Sequence, residues 1–83
     1  MDMLANLKAF VVTADTGSFS EAARRSDLVP SVVSKRIDQL EWRIRAPLFI
    51  RTTRKLTLTD VGERYLPTVR QLVRQMEEML AGM

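Results

Sequence analysis

The chain contains no cysteine and no histidine. Disulfides, thiolate or imidazole metal sites, and Cys/His or Ser/His nucleophile pairs are therefore excluded. Catalysis would rest on carboxylates or lysine, and no pair of these sits in an apolar pocket pattern; a phosphate-cradling glycine loop is also missing. A hydrolase or transferase is accordingly not expected, nor is a metal or other cofactor. Apolar runs extend only a few residues, far short of the roughly 20 needed to span a bilayer, and the start, Met1-Asp2-Met3-Leu4, lacks the basic region of a signal peptide. A soluble cytoplasmic domain without membrane contact is the expectation, and the lack of cysteine fits a reducing compartment. With 83 residues, one small domain is near the size at which a single core is only just sufficient, so burial against a partner would help.

Positive charge is concentrated in one place. Residues 1–50, 51–55 and 56–83 carry +1, +3 and −1. Arg51-Thr52-Thr53-Arg54-Lys55 thus accounts for the whole excess, between the short apolar runs Leu48-Phe49-Ile50 and Leu56-Thr57-Leu58. A cationic hairpin tip suits a polyanion such as nucleic-acid phosphate; on its own it is equally a solvated turn.

Three helices are expected ahead of this hairpin. Met3 or Leu4, Leu7, Phe10, Val11 and Ala14 form one apolar face, ended by Gly17. Ser18-Phe19-Ser20-Glu21 is a capping-box pattern, with the Ser18 hydroxyl on the Glu21 amide and the Glu21 carboxylate back on the Ser18 amide. It opens a short helix running to about Arg25, with Phe19, Ala22 and Ala23 inward. After the turn Asp27-Leu28-Val29, Pro30 suits the first position of a third helix. Val33, Ile37, Leu40 and Ile44 fall within a narrow arc and are expected to be core, while Ser31, Lys35 and Asp38, flanked by Ser34 and Gln39, face outward. Alone, this is an ordinary amphipathic helix with a solvated side. In sequence, a short helix, a tight turn, an amphipathic helix and a cationic hairpin are the order of a winged helix-turn-helix, in which the second helix of the pair enters the major groove.

Four blocks carry a family resemblance: Gly17-Ser18-Phe19-Ser20-Glu21-Ala22-Ala23; Ser34-Lys35-Arg36-Ile37 with Leu40-Glu41; Pro47-Leu48-Phe49-Ile50-Arg51-Thr52-Thr53-Arg54; and Leu58-Thr59-Asp60-Val61-Gly62. In register and without a gap, they resemble the N-terminal DNA-binding region of LysR-type transcriptional regulators. The resemblance implies a mainly α winged helix-turn-helix over residues 1–58 and a long dimerisation helix over 59–83. It further implies a bacterial regulator that binds an interrupted palindrome in double-stranded DNA as a homodimer, with a small-molecule inducer on a C-terminal domain that these residues do not include. Against that pattern, Ser26 stands where a core leucine is usual, Val29 where a hydroxyl would cap the recognition helix, Pro30 where a glutamine is frequent, and Arg45 where glycine usually ends the helix.

Site residues follow from this reading. Pro30, Ser31, Val32, Ser34 and Lys35 are expected nearest the bases, Lys35 on guanine or a phosphate and Val32 on a thymine methyl or in the core rim. Ser18 and Ser20, at a helix N-terminus, and Arg36, Gln39, Thr53 and Lys55 are expected on the DNA backbone. Arg51 and Arg54 are expected on phosphates, one of them entering the minor groove, and Asp38 is expected to be solvated or paired with an arginine rather than to accept from cytosine N4. In the last segment, Thr59 caps a helix on which Leu66, Val69, Val73, Met76 and Leu80 form a stripe beside Tyr65, Leu72 and Met79. The stripe runs for roughly 30 Å, more than three short helices can cover, so a second copy is expected to bury it, the alternative being one long helix that packs back on its own domain; methionines suit an adaptable interface. Pro67 is expected to bend this helix. Two other classes fit part of the pattern: a helical protein-interaction module, which leaves the basic tip unexplained, and a nonspecific DNA-binding protein.

Overall fold

A computed structural model of the chain describes residues 2–52 and 55–82. Four helices and a two-stranded hairpin follow one another: α1 (Met3–Thr16), α2 (Phe19–Ser26), α3 (Pro30–Ile44), β1 (Phe49–Arg51), β2 (Leu56–Leu58) and α4 (Asp60–Ala81). The strands pair antiparallel with Phe49 opposite Leu58, Ile50 opposite Thr57 and Arg51 opposite Leu56. The mainly helical winged architecture expected from the sequence is present.

Helix α1 begins on the Asp2 carboxylate, which accepts from the Ala5 amide at 3.1 Å, and ends at Gly17, whose φ of 71° lets its N–H reach the Thr13 carbonyl. Left-handed geometry is nearly free for glycine and costs other residues about 1 kcal/mol. The buried side of α1 is Asn6, Ala9, Phe10 and Thr13; of the expected apolar face only Phe10 is fully buried, while Leu4, Leu7, Val11 and Ala14 are half-buried. The reason is position: α2, α3 and α4 all pack on α1, so its apolar residues are shared among three neighbours, and polar Asn6 and Thr13 end up at the centre.

The Ser18 hydroxyl accepts from the Glu21 amide at 3.3 Å, as the capping pattern requires. The return bond differs, because Glu21 turns to the Arg24 guanidinium, where a charge-assisted bond replaces one to a neutral amide. Ala22 and Ala23 are fully buried, and their small side chains allow the close approach of α2 to α1 and α3. Asp27 takes left-handed geometry with φ 58° and Leu28 donates back to the Ala23 carbonyl. The chain then re-enters a helix at Pro30.

Val33, Ile37 and Leu40 form the inner face of α3, whereas Ile44 is 38% exposed, a correction to the four-residue core stripe. The helix outruns the body by its last turn, leaving Ile44 on the rim of an apolar cleft of about 110 Å³ with Leu7, Phe10, Leu40, Leu48, Tyr65 and Val69. Arg45 ends α3 with φ 61°, so the non-glycine residue is held in the left-handed region, with its guanidinium 4.8 Å from the centre of the exposed Trp42 ring.

Val29 occupies the N-cap of α3 in extended geometry, is exposed, and offers no side-chain acceptor. Because the backbone is already that of a cap, Val29→Ser is expected to add about 1 kcal/mol of stability, raising the melting temperature by roughly 4–8 °C at matched protein concentration. An unchanged or lowered melting temperature would show that the orphan amides of α3 are satisfied otherwise.

Candidate nucleic-acid interface

The expected base-reading residues lie together on the first turns of α3. Pro30, Ser31 and Lys35 are exposed, and Val32 and Ser34 are half-buried beside them. At the start of α2, Ser20 is exposed and Ser18 is half-buried and engaged as a cap. Arg36 and Gln39 lie on the flank, both half-buried; the Gln39 side-chain carbonyl accepts from Asn6 Nδ2 at 3.3 Å, which turns that amide toward α1.

Beyond β1 the tip is closed by Thr52 and Lys55. The Thr52 amide and hydroxyl donate to the Lys55 carbonyl at 3.0 and 2.9 Å, and the Lys55 amide donates to the Thr52 hydroxyl at 3.0 Å. Both residues are exposed, so the Lys55 ammonium sits on a short, internally bonded turn. Thr53 and Arg54, expected to serve the backbone and the minor groove, lie outside the described residues.

Arg51 differs from the expectation of a groove-seeking wing residue. Its Nη2 donates to Asp38 Oδ1 at 2.7 Å and to Glu41 Oε1 at 2.9 Å, and its guanidinium lies 5.3 Å from the centre of the Phe19 ring. The other Glu41 oxygen accepts from the Leu48 and Phe49 amides at 2.7 and 3.3 Å. Asp38 is thus arginine-paired, one of the states expected for it. Sequence reasoning gave Glu41 no role; its signal is its spacing, three residues after Asp38 on the same side of α3 and just ahead of a basic hairpin.

Helix α4 is fixed to the body before it leaves it. Thr59 accepts from the Gly62 amide at 3.0 Å and donates to the Pro47 carbonyl at 2.7 Å. Further along, Arg70 grips both oxygens of Asp15 at 2.9 and 3.2 Å, and Lys8 meets Glu77 at 3.6 Å. The hydrogen bond that Arg70 donates to Asp15 raises the Arg70 pKa above its ordinary value. Pro67 lies inside a helix that continues on both sides of it.

The long apolar stripe of α4 divides in two. Val69 and Val73 are 8% and 6% exposed and belong to the core of their own chain, which corrects their assignment to a second copy. Leu66 also packs on that core, and Met76 is half-buried. Tyr65, Leu72 and Met79, seven residues apart and therefore nearly superimposed along the helix, stay open, with Leu72 at 44% and Met79 at 60%. Leu80 follows Val69 and Val73 in rotation but is exposed too, because it lies two turns past the last core residue.

In sequence, residues 4–63 match the model of the bacterial regulatory helix-turn-helix protein, lysR family. The HTH-type transcriptional regulator YbhD of Escherichia coli is 40% identical over 77 residues, covering 93% of this chain and 24% of that protein. Among solved structures, the oxidised form of Corynebacterium glutamicum OxyR superposes with a TM-score of 0.92 at 30% identity, covering 95% of this chain and 26% of that one. Vibrio fischeri DarR, solved in complex with DNA, gives 0.86 at 32% identity, covering 95% and 27%. The chain spans about a quarter of the length of each. With the family model covering most of its residues and the winged architecture agreeing, the chain belongs to the lysR family of bacterial regulatory helix-turn-helix proteins.

Proposed function

We propose that this chain reads double-stranded DNA sequence-specifically, as a homodimer on an interrupted palindrome, in the service of transcription regulation rather than catalysis. The observation that carries the reading is the polar, exposed start of α3 standing beside a cationic hairpin, on a body whose α4 presents an uncovered apolar stripe. Residues 1–58 are the reader and 59–83 the coupling helix, although the inner side of that helix belongs to the reader's core. Pro30, Ser31, Val32, Ser34 and Lys35 face base edges; Ser18, Ser20, Arg36, Thr53 and Lys55 serve phosphates; Arg54 takes the minor groove. Gln39, bonded to Asn6, holds the flank of α3. Tyr65, Leu72, Met79 and Leu80 with the edge of Met76 form the contact between copies. A bacterial cytoplasm, with its nucleoid, is the matching location, and any small-molecule inducer is assigned to sequence beyond these residues. No helix among the described residues is long and apolar enough to cross a membrane.

Two substitutions separate reading from holding. Lys35→Ala is expected to cost about 1–3 kcal/mol on the preferred duplex and little on others, so the ratio between them collapses. Lys55→Ala is expected to weaken every duplex by a similar factor and to lower the salt slope by about one unit. Anisotropy titrations on matched and scrambled duplexes at two salt concentrations distinguish them; equal loss of discrimination in both variants would contradict this division of labour.

A further inference from the structure

Arg51 is the last strand residue before the basic tip, paired with Leu56, and its guanidinium is committed inward. One nitrogen bridges Asp38 and Glu41, both on α3, while the plane lies near Phe19 of α2. Glu41 in turn holds the amides of Leu48 and Phe49 at the root of β1. The arrangement therefore ties the hairpin to both helices of the helix-turn-helix at the point where the tip departs. Its second consequence is electrostatic. Asp38 lies on the same outward face as Ser31 and Lys35 and its side chain is 58% exposed. An unpaired carboxylate there would repel any phosphate approaching α3.

We propose that Arg51 acts on DNA binding as a positioning residue, neutralising Asp38 and aiming the hairpin tip, and not as a direct phosphate or minor-groove contact. The inference rests on the DNA-reading proposal and adds which of the wing cations reaches DNA only through another side chain. It predicts an energetic coupling that a phosphate contact lacks. With Arg51 in place, removing the Asp38 charge relieves little, because that charge is already compensated. Without Arg51, removing it relieves the full repulsion.

The test is a double-mutant cycle read as duplex affinity at fixed salt, using Arg51→Gln, Asp38→Asn and the double variant, each with a thermal melt. Arg51→Gln is expected to weaken binding roughly tenfold, and Asp38→Asn to restore most of that loss in the Arg51→Gln background, with a severalfold smaller effect when Arg51 is present. Glu63→Gln, an equal charge change on the exposed first turn of α4, is expected not to restore it. Asp38→Asn acting by the same factor in both backgrounds, or Glu63→Gln restoring binding equally well, overturns the proposal. Should Arg51→Gln fail to fold, Arg51→Met carries the cycle, since methionine removes the charge and keeps an unbranched apolar stem beside Phe19. Failure of the unsubstituted chain to bind any duplex would instead sink the DNA-reading proposal itself.

Discussion

Gly62→Ala is expected to destabilise the domain by about 3 kcal/mol, lowering its melting temperature by roughly 12–24 °C. On helix propensity alone the change would stabilise by nearly 1 kcal/mol. Packing reverses the sign. A Cβ built at Gly62 meets the Leu48 carbonyl oxygen at 2.3 Å and Leu58 Cδ2 at 2.9 Å, and the same carbonyl accepts from the Thr59 amide at 3.0 Å. The added methyl would have to push the first turn of α4 off the root of the hairpin, breaking that bond and moving the wing. The other two described glycines supply the contrast. At Gly17 a Cβ meets nothing within 4 Å but φ is 71°, and at Gly82 the nearest atoms stand at 3.6 Å with ordinary φ. Alanine is expected to cost about 1 kcal/mol at Gly17 and almost nothing at Gly82. Thermal denaturation of the three variants gives the order directly; a Gly62→Ala protein as stable as the unsubstituted chain would mean that α4 is not seated on Leu48.

Adjacent residues of α4 are expected to fail in opposite ways. Leu72→Asp should leave each copy folded, since its side chain is already partly in solvent, but should separate the copies. Losing the linkage between two half-site readers is expected to lower affinity for an inverted-repeat duplex by about 10²-fold or more. Val73→Asp instead puts a carboxylate among the core residues around Phe10 and Val69. An uncompensated buried charge costs about 3–5 kcal/mol, enough to unfold a domain of this size. Sedimentation equilibrium and circular dichroism together separate the two results. A folded, dimeric Leu72→Asp protein would show that the Tyr65–Leu72–Met79 stripe is not the contact between copies.

These two residues also mark where the sequence stops being legible. Periodicity identified α4 and its apolar content, because a helix repeats every 3.6 residues whatever it packs against. It did not separate Val73 from Leu72, since that depends on where the three-helix body ends beside it. Helix α1 makes the same point: with neighbours on three sides, its most buried positions include Asn6 and Thr13, which no hydrophobic pattern selects. Elements set by short-range chemistry were readable, among them the Ser18 cap, Pro30 at the first position of α3, and the two apolar runs that became β1 and β2. The site divides along the same line. The exposed start of α3 followed from local amphipathicity, whereas the pairing of Arg51 with Asp38 and Glu41 joins residues 13 and 10 positions apart and emerges only when the hairpin folds back. Asp38 as an arginine's partner was one of the readings open in the sequence; which arginine it takes was not legible there.

Selection of bound duplexes from a randomised pool, followed by anisotropy on the enriched sequence at two salt concentrations, tests the central claim most directly. A dimeric reader predicts an inverted repeat whose half-sites are spaced by about one helical turn or a multiple of it, bound with an affinity that falls steeply as salt rises. Salt-sensitive binding without an enriched sequence would reduce the protein to a nonspecific DNA binder, and no binding at either salt concentration would contradict the account.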